Sequence, residues 1–93
     1  MNNTNANIKI IAAALRRSTT AKVLADFLSD LLTKDEQEHL AQRIQIAKQL
    51  IAGTSVDEIA RKVKASTSTI SDVMQVIEHG TDGYGKILID RLL

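Results

Sequence analysis

The 93-residue sequence predicts an all-α fold of about six short helices. Three observations carry that prediction. Proline is absent, and Phe27 and Tyr84 are the only residues of the Phe, Tyr and Trp class. The apolar residues are mainly Ala, Ile, Leu and Val, and they recur every three or four positions, the period of a helix with one buried face. Hydroxyl side chains stand just ahead of several of these stretches, where a helix start leaves backbone N–H groups without partners.

Taken in order, the polar residues 1–5, MNNTN, are expected to be flexible. From Ala6 to about Arg17, Ile8, Ile11, Ala12 and Leu15 recur at helical spacing. Ser18-Thr19-Thr20 closes this helix and caps the next, which runs from about Thr20 to Leu31 with Val23, Leu24, Phe27, Leu28 and Leu31 on one face. Thr33 stands three residues before Glu36, a capping box in which the hydroxyl and the carboxylate each satisfy a free backbone N–H. It opens the longest helix, residues 34–52, with a stripe of Leu40, Ile44, Ala47 and Ile51 widened by Leu50. Gly53 follows, where a left-handed residue ends a helix.

Ser55 and Glu58 repeat the capping-box pattern and open a short helix with Val56, Ile59, Ala60 and Val63 inward. Lys64-Ala65 makes a tight turn. The next helix starts at Ser66 or Thr67, carries Ile70, Val73, Met74 and Ile77 inward, and ends at Gly80. After a TDG loop, Tyr84, Ile87, Leu88 and Leu92 describe a last short helix.

The length suits one domain over residues 1–93, and a chain this short buries a modest share of its surface, which oligomerisation remedies. Without cysteine there are no disulfides and no thiolate ligands. No apolar run approaches the roughly 20 residues that span a bilayer. The N-terminal segment places its basic residues after its apolar run, the reverse of a secretory signal, so it is expected to belong to the folded protein and the protein to the cytoplasm. Two distant aromatic rings make a poor stacking platform for single-stranded nucleic acid.

Nor does the inventory assemble an enzyme. His39 and His79 lie far apart with no second ligand at metal spacing. Asp35, Glu36 and Glu38 suit the positive end of a helix dipole better than general acid catalysis. The glycines mark helix ends and one loop rather than a phosphate-binding loop. No catalytic residue, metal or cofactor is expected.

Residues 54–79 carry the functional signal: a short capped helix, a turn of about three residues and a second capped helix form a helix-turn-helix. Ala60 sits where the two helices cross and must be small. In RKVKASTSTISDVMQVI, residues 61–77, five hydroxyls occupy the six positions from Ser66 to Ser71. Ser66 or Thr67 caps the helix. Thr69, Ser68 and Ser71 lie in the turns where a recognition helix meets base edges and phosphates. The candidate DNA-binding residues are therefore Lys62, Lys64, Ser66, Thr67, Ser68, Thr69 and Ser71. The charge balance is lean, because residues 54–80 set Arg61, Lys62 and Lys64 against Asp57, Glu58, Asp72 and Glu78. With few cations, a shallow salt dependence of binding is expected. Lys64 occupies a position that often takes glycine, where a left-handed Lys would cost about 1 kcal/mol.

The stretch LLTKDEQEHLAQRIQIAKQLIAGTSVDEIARKVKASTSTIS resembles the Trp repressor superfamily. Within it, LAQRIQIAKQLIAG followed by ASTSTIS is most similar to the YerC/YecD-like branch, and the resemblance covers roughly residues 24–92. It implies an all-helical, intertwined homodimer whose N-terminal helices interlock and whose two heads read double-stranded DNA, hence a sequence-specific transcriptional regulator of the repressor kind. It also implies a tryptophan corepressor pocket, of which Thr33 and Arg43 keep the residue type. Asp72, however, stands where an arginine would hold the ligand's carboxylate and stack on its indole. A carboxylate there repels that ligand, so no tryptophan response is expected, the effector is left open, and Arg43 is expected to form a structural ion pair, with Asp72 as one candidate partner. The competing reading is a dimeric protein-interaction module that keeps the helix-turn-helix without reading DNA.

Overall fold

The computed structural model describes residues 3–89. It contains α1 (Asn3–Leu15), α2 (Ala21–Leu31), α3 (Lys34–Ile51), α4 (Val56–Val63), α5 (Thr67–His79) and α6 (Gly83–Leu88), with no strand among the described residues. The chain is all-α, as its periodicity predicts. It divides into two compact units, Met1–Gln37 and Glu38–Leu93.

In the first unit, α1 begins at Asn3, ahead of the expected start at Ala6; residues 1–2 of the stretch expected to be flexible lie outside the described residues. The Ser18 hydroxyl donates to the Leu15 carbonyl at 2.7 Å and closes the C-terminal end of α1. Thr20 is extended, and its Oγ1 accepts the Val23 amide at 3.1 Å, which caps α2. The capping box of α3 forms in both directions: Glu36 N–H donates to Thr33 Oγ1 at 3.1 Å, and Thr33 N–H donates to Glu36 Oε1 at 2.9 Å. No residue of α2 is buried, and its apolar face of Val23, Phe27 and Leu31 is exposed. On α1, Ile8, Ile10 and Ile11 are exposed as well, Ile10 by 69%.

The second unit holds the core. Ile46 and Ala47 of α3, Ile59 of α4, and Ile70 and Val73 of α5 are fully buried. Leu50, Ala60, Val63, Ile77, Tyr84 and Leu88 pack around them. Here α3 departs from its expected stripe. The buried line runs through Ile46, Ala47 and Leu50, whereas Leu40 and Ile44 stay 45% and 44% exposed. The helix has two apolar faces, and α4 and α5 cover only one.

Local chemistry explains the boundaries. At the end of α3, the Gly53 amide donates to the Leu50 carbonyl at 3.0 Å and the Thr54 amide to the Gln49 carbonyl at 2.9 Å. Gly53 itself sits at φ 90°. This is the Schellman arrangement, which needs a left-handed residue that glycine supplies without steric cost. The capping box of α4 forms by half. Ser55 Oγ accepts the Glu58 amide at 3.3 Å, but the Glu58 carboxylate turns to Lys62 Nζ at 3.2 Å instead of back to the cap. Gly80 ends α5, where a Cβ would meet the Val76 carbonyl oxygen at 2.5 Å. The last helix stops at Leu88, with Ile89 extended, and Leu92, expected on its face, lies outside the described residues.

Candidate nucleic-acid interface

Helices α4 and α5 are joined by residues 64–66 and pack through Ile59, Ala60, Ile70 and Val73. The small Ala60 side chain lets the helices approach closely. The turn depends on Lys64, which adopts the left-handed conformation at φ 57° and ψ 44°. The strain considered from the sequence is therefore present, and the side chain that bears it is exposed.

The five hydroxyls separate into two groups. Ser66, extended at φ −71° and ψ 154°, is the cap. Its Oγ accepts the Thr69 amide at 3.1 Å and lies 2.9 Å from Thr69 Oγ1. Thr69 is half-buried and bound into this cap. Thr67, Ser68 and Ser71 are exposed. With Val56 and Met74 they line a shallow hollow of about 320 Å³ on the outer side of the helix pair.

Helical geometry orders the rest of α5. Ser68 and Gln75 lie two turns apart on one line, facing directly away from the inward Ile70, Val73 and Ile77. Ser71 and Asp72 flank that line. All four are exposed. Among the described residues, no side-chain hydrogen bond or ion pair engages them. The outward face is thus a polar stripe with its bonding capacity unused. Gln75 belongs to it although it lies beyond the hydroxyl cluster, and its sequence signal is that position 75 repeats position 68 after two turns.

The cations are arranged sparsely around this stripe. Lys62 pairs with Glu58 on the surface, an exchangeable contact of the kind that contributes little to stability. Arg61 and Lys64 are exposed and make no ion pair among the described residues. The ion pair expected between Arg43 and Asp72 is not among those of the described residues, where both side chains are exposed. A surface pair of this kind would contribute little to stability. Thr33 is occupied by its capping box in the first unit, while Arg43 and Asp72 belong to the second. Among the described residues, no group of three or more His, Cys, Asp or Glu side chains is placed to hold a metal ion. No described helix is long and apolar enough to cross a membrane.

Comparison with known proteins agrees with this architecture. The family described as Trp repressor protein matches residues 6–92. The uncharacterized protein YerC of Bacillus subtilis (strain 168) is 38% identical over 66 residues, which cover 71% of this chain and 62% of that protein. The match thus spans somewhat less than two thirds of that relative's length. No solved structure matches the chain.

Proposed function

We propose that this chain, which belongs to the Trp repressor family and to its YerC-like branch, is a homodimeric, sequence-specific DNA-binding regulator, a repressor that works without tryptophan. The observation that carries the reading is the outward stripe of α5. Its exposed polar side chains have no partners among the described residues and stand on the second helix of a helix-turn-helix, the element that enters a major groove. In this reading Thr67, Ser68 and Ser71 meet base edges, and Lys62 and Lys64 meet phosphates. Ser66 and Thr69 hold the helix start in shape, and the N–H groups of that start face a phosphate.

Dimerisation is supported by what the chain leaves uncovered. Ile8, Ile10, Ile11, Val23, Phe27 and Leu31 of the first unit are exposed. In the second unit, Ile44, Val76, Ile77, Tyr84, Ile87 and Leu88 line an apolar groove of about 390 Å³, with Ile87 81% exposed. Monomeric proteins seldom leave apolar surface of this extent in water. A second copy interlocking its N-terminal helices over these faces accounts for both sets. Two recognition helices then read a two-fold symmetric site.

The proposed lack of a tryptophan response rests on Asp72, whose exposed carboxylate makes no ion pair among the described residues and repels a ligand carboxylate. Calorimetry with L-tryptophan should show no binding at micromolar concentration. The decisive experiment is selection from a random duplex library, with and without tryptophan, at moderate salt. Enrichment of a two-fold symmetric site in both conditions supports the reading. Enrichment only with tryptophan refutes the corepressor-independent part. No enrichment in either condition favours the second reading, a dimeric protein-interaction module, for which the exposed acidic Asp72 and Glu78 of α5 speak.

A further inference from the structure

The outward face of α5 carries an unusual charge for a surface presented to a polyanion. Asp72 lies beside the line from Ser68 to Gln75, is exposed, and has no ion pair or hydrogen bond among the described residues. Neither Arg43 nor any lysine neutralises it. Placed against DNA, this carboxylate weakens binding to every sequence by repelling phosphates, so its presence in the stripe needs a compensating role. Its chemistry supplies one. An ionised Asp is an acceptor only. In the major groove cytosine offers its N4 amino donor with no acceptor of its own beside it, adenine offers its N6 donor next to the acceptor N7, and guanine and thymine offer the acceptors N7, O6 and O4. A carboxylate therefore gains a charge-assisted hydrogen bond from cytosine and is repelled by guanine. Gln75 has the complementary capacity: its amide can bond adenine N6 and N7 together. The short side chains of Ser68 and Ser71 let the helix approach the groove floor closely. From Ser68 to Gln75 the stripe spans about 10 Å of helix, about three base-pair steps.

We propose that Asp72 and Gln75 are specificity-determining residues, Asp72 selecting cytosine and excluding guanine at one position of each half-site, and Gln75 selecting adenine at a neighbouring one. This inference rests on the DNA-binding function proposed above. The lean positive charge of the helix-turn-helix then belongs to a design in which discrimination outweighs raw affinity. Asp72 achieves this largely by penalising wrong bases, one of the two routes to specificity.

The test uses the full chain and the duplex enriched by selection, together with its single-base variants, in competition binding read by fluorescence anisotropy. The wild type should prefer cytosine over guanine at one position per half-site by about tenfold or more. Asp72→Asn should bind the duplexes that lack cytosine at that position more tightly, and gain least on the cytosine duplex. At that one position its preference should move from cytosine towards adenine, the base an Asn amide matches. Gln75→Ala should lose the adenine preference at the neighbouring position and leave the cytosine position unchanged. Both side chains are exposed, so circular dichroism should show unaltered helicity. If Asp72→Asn tightens binding uniformly with the base preferences intact, the carboxylate only repels and the inference is overturned while the DNA-binding function stands. If the wild type enriches no site, that function fails and the inference with it, before any variant is made.

Discussion

At Lys64, backbone strain is set against the proposed contact with DNA. Its left-handed backbone, φ 57°, costs an L-residue about 1–2 kcal/mol, and glycine would remove that strain. Glycine would also loosen the unfolded chain, at about 0.4–1 kcal/mol. Lys64→Gly should therefore raise stability by roughly 0.5–1 kcal/mol, read as a higher urea midpoint. It should also weaken DNA binding and make the salt dependence shallower by about one charge per subunit. Unchanged affinity would show that Lys64 touches no phosphate. The hydroxyl cluster offers a second test at this scale. Ser66→Ala removes the acceptor of the Thr69 amide and should destabilise by about 1 kcal/mol. Ser68→Ala with Ser71→Ala removes no bond within the chain and should change stability by less than about 0.5 kcal/mol per site, while relaxing base preference. If the double variant retains full sequence preference, the groove-contact assignment is wrong.

At the scale of the element, α3 does two things along one length. Its Ile46–Ala47–Leu50 face belongs to the core of the second unit, and its Leu40–Ile44 side is exposed. The two faces should respond differently to truncation. Ile46→Ala removes a fully buried side chain and should destabilise by about 2–5 kcal/mol at any protein concentration. Ile44→Ala should have little effect on the folded subunit and should make the unfolding midpoint fall more steeply on dilution, because dimer stability depends on concentration. Equal, concentration-independent losses from both would mean that Ile44 is not at an interface. Helix α5 likewise has separable parts: a capped start, an inward line of Ile70, Val73 and Ile77, and an outward polar stripe. The cap and the inward line were legible in the sequence, because hydroxyl placement and apolar period are local properties. Gln75 lies beyond the hydroxyl cluster, and only its two-turn repeat of Ser68 marks it as outward.

For the whole molecule, the proposed dimer and its sparse cations make joint predictions. Sedimentation at micromolar concentration should give the mass of two chains, and a stable monomer would remove the intertwined arrangement. With about two phosphate contacts per subunit, log affinity against log salt should have a slope of about −4 for the dimer. A slope near −10 would mean that further positive surface takes part, with Lys9, Arg16, Arg17 and Lys22 of the acid-free residues 1–25 as candidates.

By itself the sequence determined the helices and the chemistry of their ends. Spacing placed α2 to α5 close to their observed bounds, Thr33 and Glu36 announced their reciprocal bonds, and Gly53 announced its left-handed turn. These are decided within a few residues, where backbone sterics and unpaired N–H groups act. The family too was legible, from the run between Leu31 and Ser71. What tertiary packing alone decided is which apolar residues form the core: it buried Ile46 and left Ile44 exposed on the same helix. That choice turns on which face of α3 meets α4 and α5 once the helices have docked, and this is a property of the packed set rather than of any one segment.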